Sequence, residues 1–184
     1  VDASNLSSTD GDIVLNANYA NQVTHGTEIK AESGGVKIAL TSDSGFANIV
    51  TGAIRDGAVV TDTNPVSITA GDGAILIEGG AVGENLVEYA SLEALGQYGS
   101  ITIQGEANGI GASTTLKAAK DVNITSDGVD ADDGNFIEAS TITSVGGAVN
   151  IHAANYTQMD KSSLSASAGV KITSTGTAAD DGNE

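Results

Sequence analysis

Apolar residues in this chain fall in short alternating pairs that return along its whole length: Ile13/Leu15, Val36/Ile38, Ile75/Ile77, Ile101/Ile103, Val122/Ile124, Val149/Ile151 and Val170/Ile172. Spacing by two describes a half-buried strand, with the pair inward and the residue between them (Lys37, Thr102, Asn123, Asn150, Lys171) facing solvent. A weaker eighth copy is expected at Val59, where Gly57-Ala58-Val59-Val60-Thr61 keeps the leading glycine but loses the second inward residue. A second marker precedes each such strand: Ile or Leu followed two residues on by a small side chain, as in Ile29/Ala31, Ile68/Ala70, Leu92/Ala94, Leu116/Ala118, Ile142/Ser144 and Leu164/Ala166, and less well in Ile54/Asp56. A third is an Asn after each first strand, at 21, 48, 64, 85, 108, 135, 155 and 183, suited to a corner and able to stack along an axis.

The markers recur as a block. Leu116, Val122, Ile124 and Asn135 return 48 positions later as Leu164, Val170, Ile172 and Asn183, and Ala131-Asp132-Asp133-Gly134-Asn135 returns unchanged as residues 179–183. An internal repeat predicts a solenoid. Three short strands and their corners fit a unit of about 22 residues, so the expected fold is all-β: a three-sided parallel β-helix of about eight rungs, forming one domain over residues 1–184. Length variation belongs in loops on one side. Residues 79–85, 126–135 and 152–163, between first and second strands, are the expected variable side.

Composition narrows the picture. With two Phe, four Tyr and no Trp, the interior must be thin enough for aliphatic side chains to fill. Twenty-four Gly and one Pro favour many turns. A formal net charge of -17 repels nucleic-acid phosphates and anionic membranes, so neither is an expected partner. No Cys is present, which excludes disulfides and thiolate chemistry, and no apolar run is long enough for membrane insertion as a helix. Because Val1 is not an initiator Met, a mature protein or a segment of a longer exported chain is expected.

Candidate chemistry is sparse. His25 and His152 fall in distant units, and Gly109-Ile110-Gly111 has no helix to follow it, so no phosphate loop is formed. The acidic run containing Asp130, Asp132 and Asp133, closed by Gly134, resembles the opening of a calcium loop, because a hard cation needs several oxygens gathered by a tight turn. These three residues are the candidate metal ligands, and Asp180-Asp181-Gly182 repeats the pattern; no other cofactor is expected. Glu88 and Glu138, each three residues after an Asn marker, are expected to project from one face, as the paired carboxylates of a carbohydrate-active enzyme would. The single Arg, Arg55, and the lack of Trp weigh against that alternative.

Segments such as Gly99-Ser100-Ile101-Thr102-Ile103, Lys120-Asp121-Val122-Asn123-Ile124-Thr125 and Gly169-Val170-Lys171-Ile172-Thr173, alternating with Ser91-Leu92-Glu93-Ala94 and Ser163-Leu164-Ser165-Ala166, are similar to the repeats of large bacterial filamentous haemagglutinin-like adhesins. That resemblance covers nearly the whole chain. It implies a right-handed parallel β-helix shaft, export to the cell surface and a part in adhesion. The expected function is therefore a non-catalytic structural and binding segment of a secreted or cell-surface filament. Its expected partners are copies of itself stacked end to end, or a glycan or protein receptor. A polysaccharide lyase or hydrolase on the same fold is the alternative.

Overall fold

The computed structural model describes residues 1–41, 47–56, 59–80, 82–130 and 133–176, and among these there is no helix. The chain coils into a three-sided parallel β-helix of about seven turns. The alternating pairs build one face: Ile13–Ala17, Val36–Leu40, Ile75–Glu78, Ile101–Gly105, Val122–Ser126, Val149–Ala153 and Val170–Ser174, hydrogen-bonded in that order. A second face holds Ala20–Thr24, Ala47–Thr51, Glu84–Glu88, Asn108–Gly111, Gly134–Glu138 and Tyr156–Asp160. The small-residue markers lie on the third: Asn5–Ser8, Glu28–Ala31, Val66–Ala70, Ala90–Ala94, Thr115–Ala118, Thr141–Ser144 and Ser163–Ala166. At the usual strand spacing the stack rises about 30 Å.

Register explains the core. Ile75 pairs with Val36 and Ile101, and Ile101 with Val122, so like side chains lie above one another in columns. Ile38, Ile77, Ile103 and Ile124 form the next column, and Ile29, Ile68, Leu92, Leu116 and Ile142 a third; all are fully buried. Removing each such side chain from water contributes about 1.5–3 kcal/mol against the entropy of ordering the rung. Val170 continues its column in register with Val149 but is 44% exposed, its strand being the last on its face among the described residues. At the corner between the third face and the first, adjacent turns pass so close to each other that side chains are excluded: a Cβ on Gly71 would fall 1.7 Å from the Glu32 carbonyl oxygen.

Two expectations are corrected. Val59 does not begin a rung. Ala53–Asp56 and Val59–Thr63 form an antiparallel hairpin set outside the coil, while Val36–Leu40 pairs directly with Ile75–Glu78 and Glu28–Ala31 with Val66–Ala70. The turn count falls from eight to seven, and Ile54/Asp56 belongs to the same excursion, whose base is closed by the Asn64 N–H donating to the Gly52 carbonyl at 2.7 Å. Residues 152–163 are likewise not a long loop, since Tyr156–Asp160 is a strand of the second face. The longest insertion therefore leaves the rod between the second and third faces, one corner on from the loops that follow Ile75–Glu78 and Val122–Ser126, which lie between the first and second faces as expected.

The asparagines do more than turn corners. Asn21, Asn48, Asn85, Asn108 and Asn135 sit inside the second-face strands, stacked in register with their side chains inward. In the first four, Nδ2 donates twice, once to the Oδ1 of the Asn one turn later and once to a carbonyl at the end of that turn's first-face strand; Asn135, with Thr157 above it, donates to His152 O at 2.8 Å. For Asn85 the acceptors are Asn108 Oδ1 and Gln104 O, both at 2.8 Å; for Asn108 they are Asn135 Oδ1 at 2.9 Å and Thr125 O at 2.8 Å. Buried polar groups are tolerable when their partners are complete, and here they tie the first face to the second at every corner. Thr157, not Asn155, follows Asn135 in the column, and its buried hydroxyl has no partner. Asn64 and Asn155 lie outside the ladder, and Asn183 lies outside the described residues.

Candidate functional site

The acidic corner after Val122–Ser126 is shaped by its own hydrogen bonds. The Asp133 N–H donates to the Asp130 carbonyl at 2.9 Å, and the Asp130 N–H donates to Asp133 Oδ2 at 2.8 Å, which draws the turn around a buried carboxylate. Gly128 makes room for it: a Cβ there would meet the Asp133 carboxyl at 2.4 Å. Asn155, from the following turn, holds the Asp130 carbonyl through its Nδ2 at 2.5 Å. From the preceding turn comes Glu106, whose backbone carbonyl accepts from Ser126 Oγ and the Gly128 N–H.

Carboxylate oxygens of Glu106, Asp130 and Asp133 all lie within 4.8 Å of one another. Oxygens on opposite sides of one calcium ion, each about 2.4 Å from it, span a similar distance. Three carboxylates supply fewer than the six to eight oxygens such an ion takes, and the remainder would have to come from backbone carbonyls and water. Of the residues expected here, Asp130 and Asp133 are brought together, while Asp132 and the repeat at Asp180-Asp181 lie outside the described residues. Glu106 escaped the sequence reading because only stacking places it there. The signal available was register, since Gly105 pairs with Ser126 and the following residues share a corner.

A second feature lies on the outside of the asparagine-bearing face. Ile49, Leu86, Gly109, Phe136 and Gln158 form one outward row across five turns, by the same register that stacks the asparagines. Gly109 leaves a gap in that row. A hollow of about 350 Å³ opens there, lined by Glu84, Asn85, Leu86, Ala107, Gly109 and Phe136. A neighbouring hollow of about 280 Å³ lies on the other side of Phe136, against Glu138, Gln158 and Asp160. The Phe136 ring is held edge-to-face on Tyr156, centroids 5.2 Å apart, and is 38% exposed.

Glu88 and Glu138 do share this face. Glu88 is paired with Gly111, and Glu138 lies one turn further on, so their strands stand about 10 Å apart, twice the usual spacing. Glu88 accepts a long hydrogen bond from Thr51 Oγ1 at 3.5 Å. At the rim, Lys161 donates to Asp160 Oδ2 at 2.6 Å, and this contact, reinforced by the charges of Asp160 and Glu138, raises the lysine above its ordinary pKa.

The histidines lie at separate turns. His25, in a left-handed conformation at φ 50°, pairs through Nδ1 with Asp2 at 2.5 Å, and His152 Nδ1 meets Thr173 Oγ1 at 3.1 Å. Hydrogen bonds from Thr24 and His25 hold the Asp2 carboxyl below its ordinary pKa. No protein-family model, no curated protein and no solved structure matches this chain.

Proposed function

We propose that the chain is a non-catalytic structural and binding segment of a secreted or cell-surface filament of the adhesin kind. The observation that carries this reading is the continuity of the asparagine ladder and aliphatic columns from turn to turn. Such an interior stiffens a rod whose length is set by the number of turns, and its flanks carry the surfaces that meet other molecules. Among the described residues, the last strand of each face and the first strands of the first and third faces have one edge without a strand partner, while residues 1–3 lie along the outer edge of Ala20–Thr24. Edges of this kind pair readily with further strands, which favours extension by more turns or by a second copy stacked end to end. A glycan or protein receptor on the target cell completes the adhesive reading.

Negative-stain electron microscopy and sedimentation at rising concentration test it. Rods longer than one molecule are expected, and dispersed particles at every concentration would refute self-stacking. Beads coated with the protein should adhere to cells more than beads coated with an acidic globular protein; equal adhesion would remove the adhesive part.

A further inference from the structure

We propose that the paired hollows astride Phe136 form a binding site for an extended cationic peptide segment carrying an apolar side chain beside Arg or Lys. The floor and walls select the apolar part. Gly109 removes one side chain from the outward row between Leu86 and Phe136, and nothing lies within 4 Å of the Cβ position of Gly111 beside it. An aliphatic side chain laid into that gap meets the Leu86 side chain and the exposed Phe136 ring.

The polar rim selects the charge. Its side chains are Glu84 on one side and Glu138, Gln158 and Asp160 on the other. Ionised carboxylates accept hydrogen bonds and donate none, so apart from the Gln158 amide the rim asks its occupant for donors. A sugar hydroxyl must both donate and accept, whereas guanidinium and ammonium groups only donate. The chain's own Lys161, seated on Asp160 at the edge with its side chain 73% exposed, shows how an ammonium group is received there. The net charge of -17 draws a cationic partner from a distance. This site does not depend on the molecule being an adhesin.

The test uses the whole chain and a fluorescein-labelled hexapeptide of alternating Leu and Arg, followed by fluorescence anisotropy. Saturable binding is expected, at least tenfold tighter than that of a hexa-arginine peptide. Gly109→Leu, which fills the floor from an outward position, should weaken it at least tenfold, and Phe136→Ala several-fold. Far-UV circular dichroism checks that both variants fold, and Phe136→Ala keeps the test intact should Gly109→Leu not. The pair Glu138→Gln with Asp160→Asn should weaken binding at least threefold, while the charge-matched pair Glu28→Gln with Glu93→Gln, on another face, leaves it unchanged. Equal loss in both pairs would reduce the effect to diffuse charge and overturn the proposal. Absence of binding at millimolar peptide, or binding of neutral oligosaccharides at these residues in place of the peptide, would overturn it too.

Discussion

Replacing Asn108 by Ala tests the ladder at its centre. The substitution removes three hydrogen bonds: those from Nδ2 to Thr125 O and Asn135 Oδ1, and the one that Oδ1 accepts from Asn85. Each contributes about 1 kcal/mol net, and stranding a buried donor on Asn85 and a buried acceptor on Asn135 adds desolvation that no water relieves, for a loss of about 3–5 kcal/mol. Asn21→Ala provides the contrast. It removes two bonds at the edge of the stack, where Asn21 is partly exposed and water replaces them, so about 1 kcal/mol is expected. Urea unfolding followed by far-UV circular dichroism reads both. With a slope of about 2 kcal/mol per molar, the midpoint should fall by about 1.5–2.5 M for Asn108→Ala and by less than about 0.7 M for Asn21→Ala. The double variant Asn85→Ala with Asn108→Ala should cost less than the sum of its singles, because they share a bond. Equal, small shifts for Asn21→Ala and Asn108→Ala, or strict additivity at 85 and 108, would refute the view that the ladder acts as a connected buried network.

Ile103→Ala empties a fully buried position and should cost about 2–5 kcal/mol in the same assay, whereas Thr102→Ala, the outward neighbour, should stay within about 0.5 kcal/mol. Deleting residues 53–63 and joining Gly52 to Asn64, already hydrogen-bonded at 2.7 Å, should leave the circular dichroism unchanged and move Tm by less than about 4 °C; a collapse of the β signal would show that the excursion supports the coil. For the carboxylate corner, Glu106→Gln should raise Tm in EDTA, because three carboxylates within 4.8 Å repel one another without a cation. A calcium-dependent rise in the parent that vanishes in Glu106→Gln would sustain the calcium expectation for this corner, and superposed melts with and without calcium would end it.

The coil was legible because its interior is chemically monotonous. On the first and third faces only Val, Ile, Leu and small residues at two-residue spacing line the interior, so Val122/Ile124 above Val149/Ile151 could be read as a column from the sequence. The hairpin was not legible for the same reason. Val59 follows a glycine as a rung does, and what distinguishes it, among the described residues, is the absence of a parallel strand above or below, which is a property of pairing. Glu106 meets Asp130 and Asp133 across turns separated by loops of unequal length, so no fixed sequence interval announces the group. The gap at Gly109 stood in plain view as a lone glycine pair. Its meaning came from Leu86 and Phe136, which only the register sets on either side.

The column of asparagines runs one way. Every amide hands its hydrogens toward the later turn, so the stack starts at Asn21, whose amide gives its hydrogens forward, and ends on the buried, unpartnered hydroxyl of Thr157. The molecule is therefore a vector and not a symmetric bar. Partners related by a two-fold axis would run their ladders in opposite senses, whereas simple translation along the axis preserves the same sense from copy to copy.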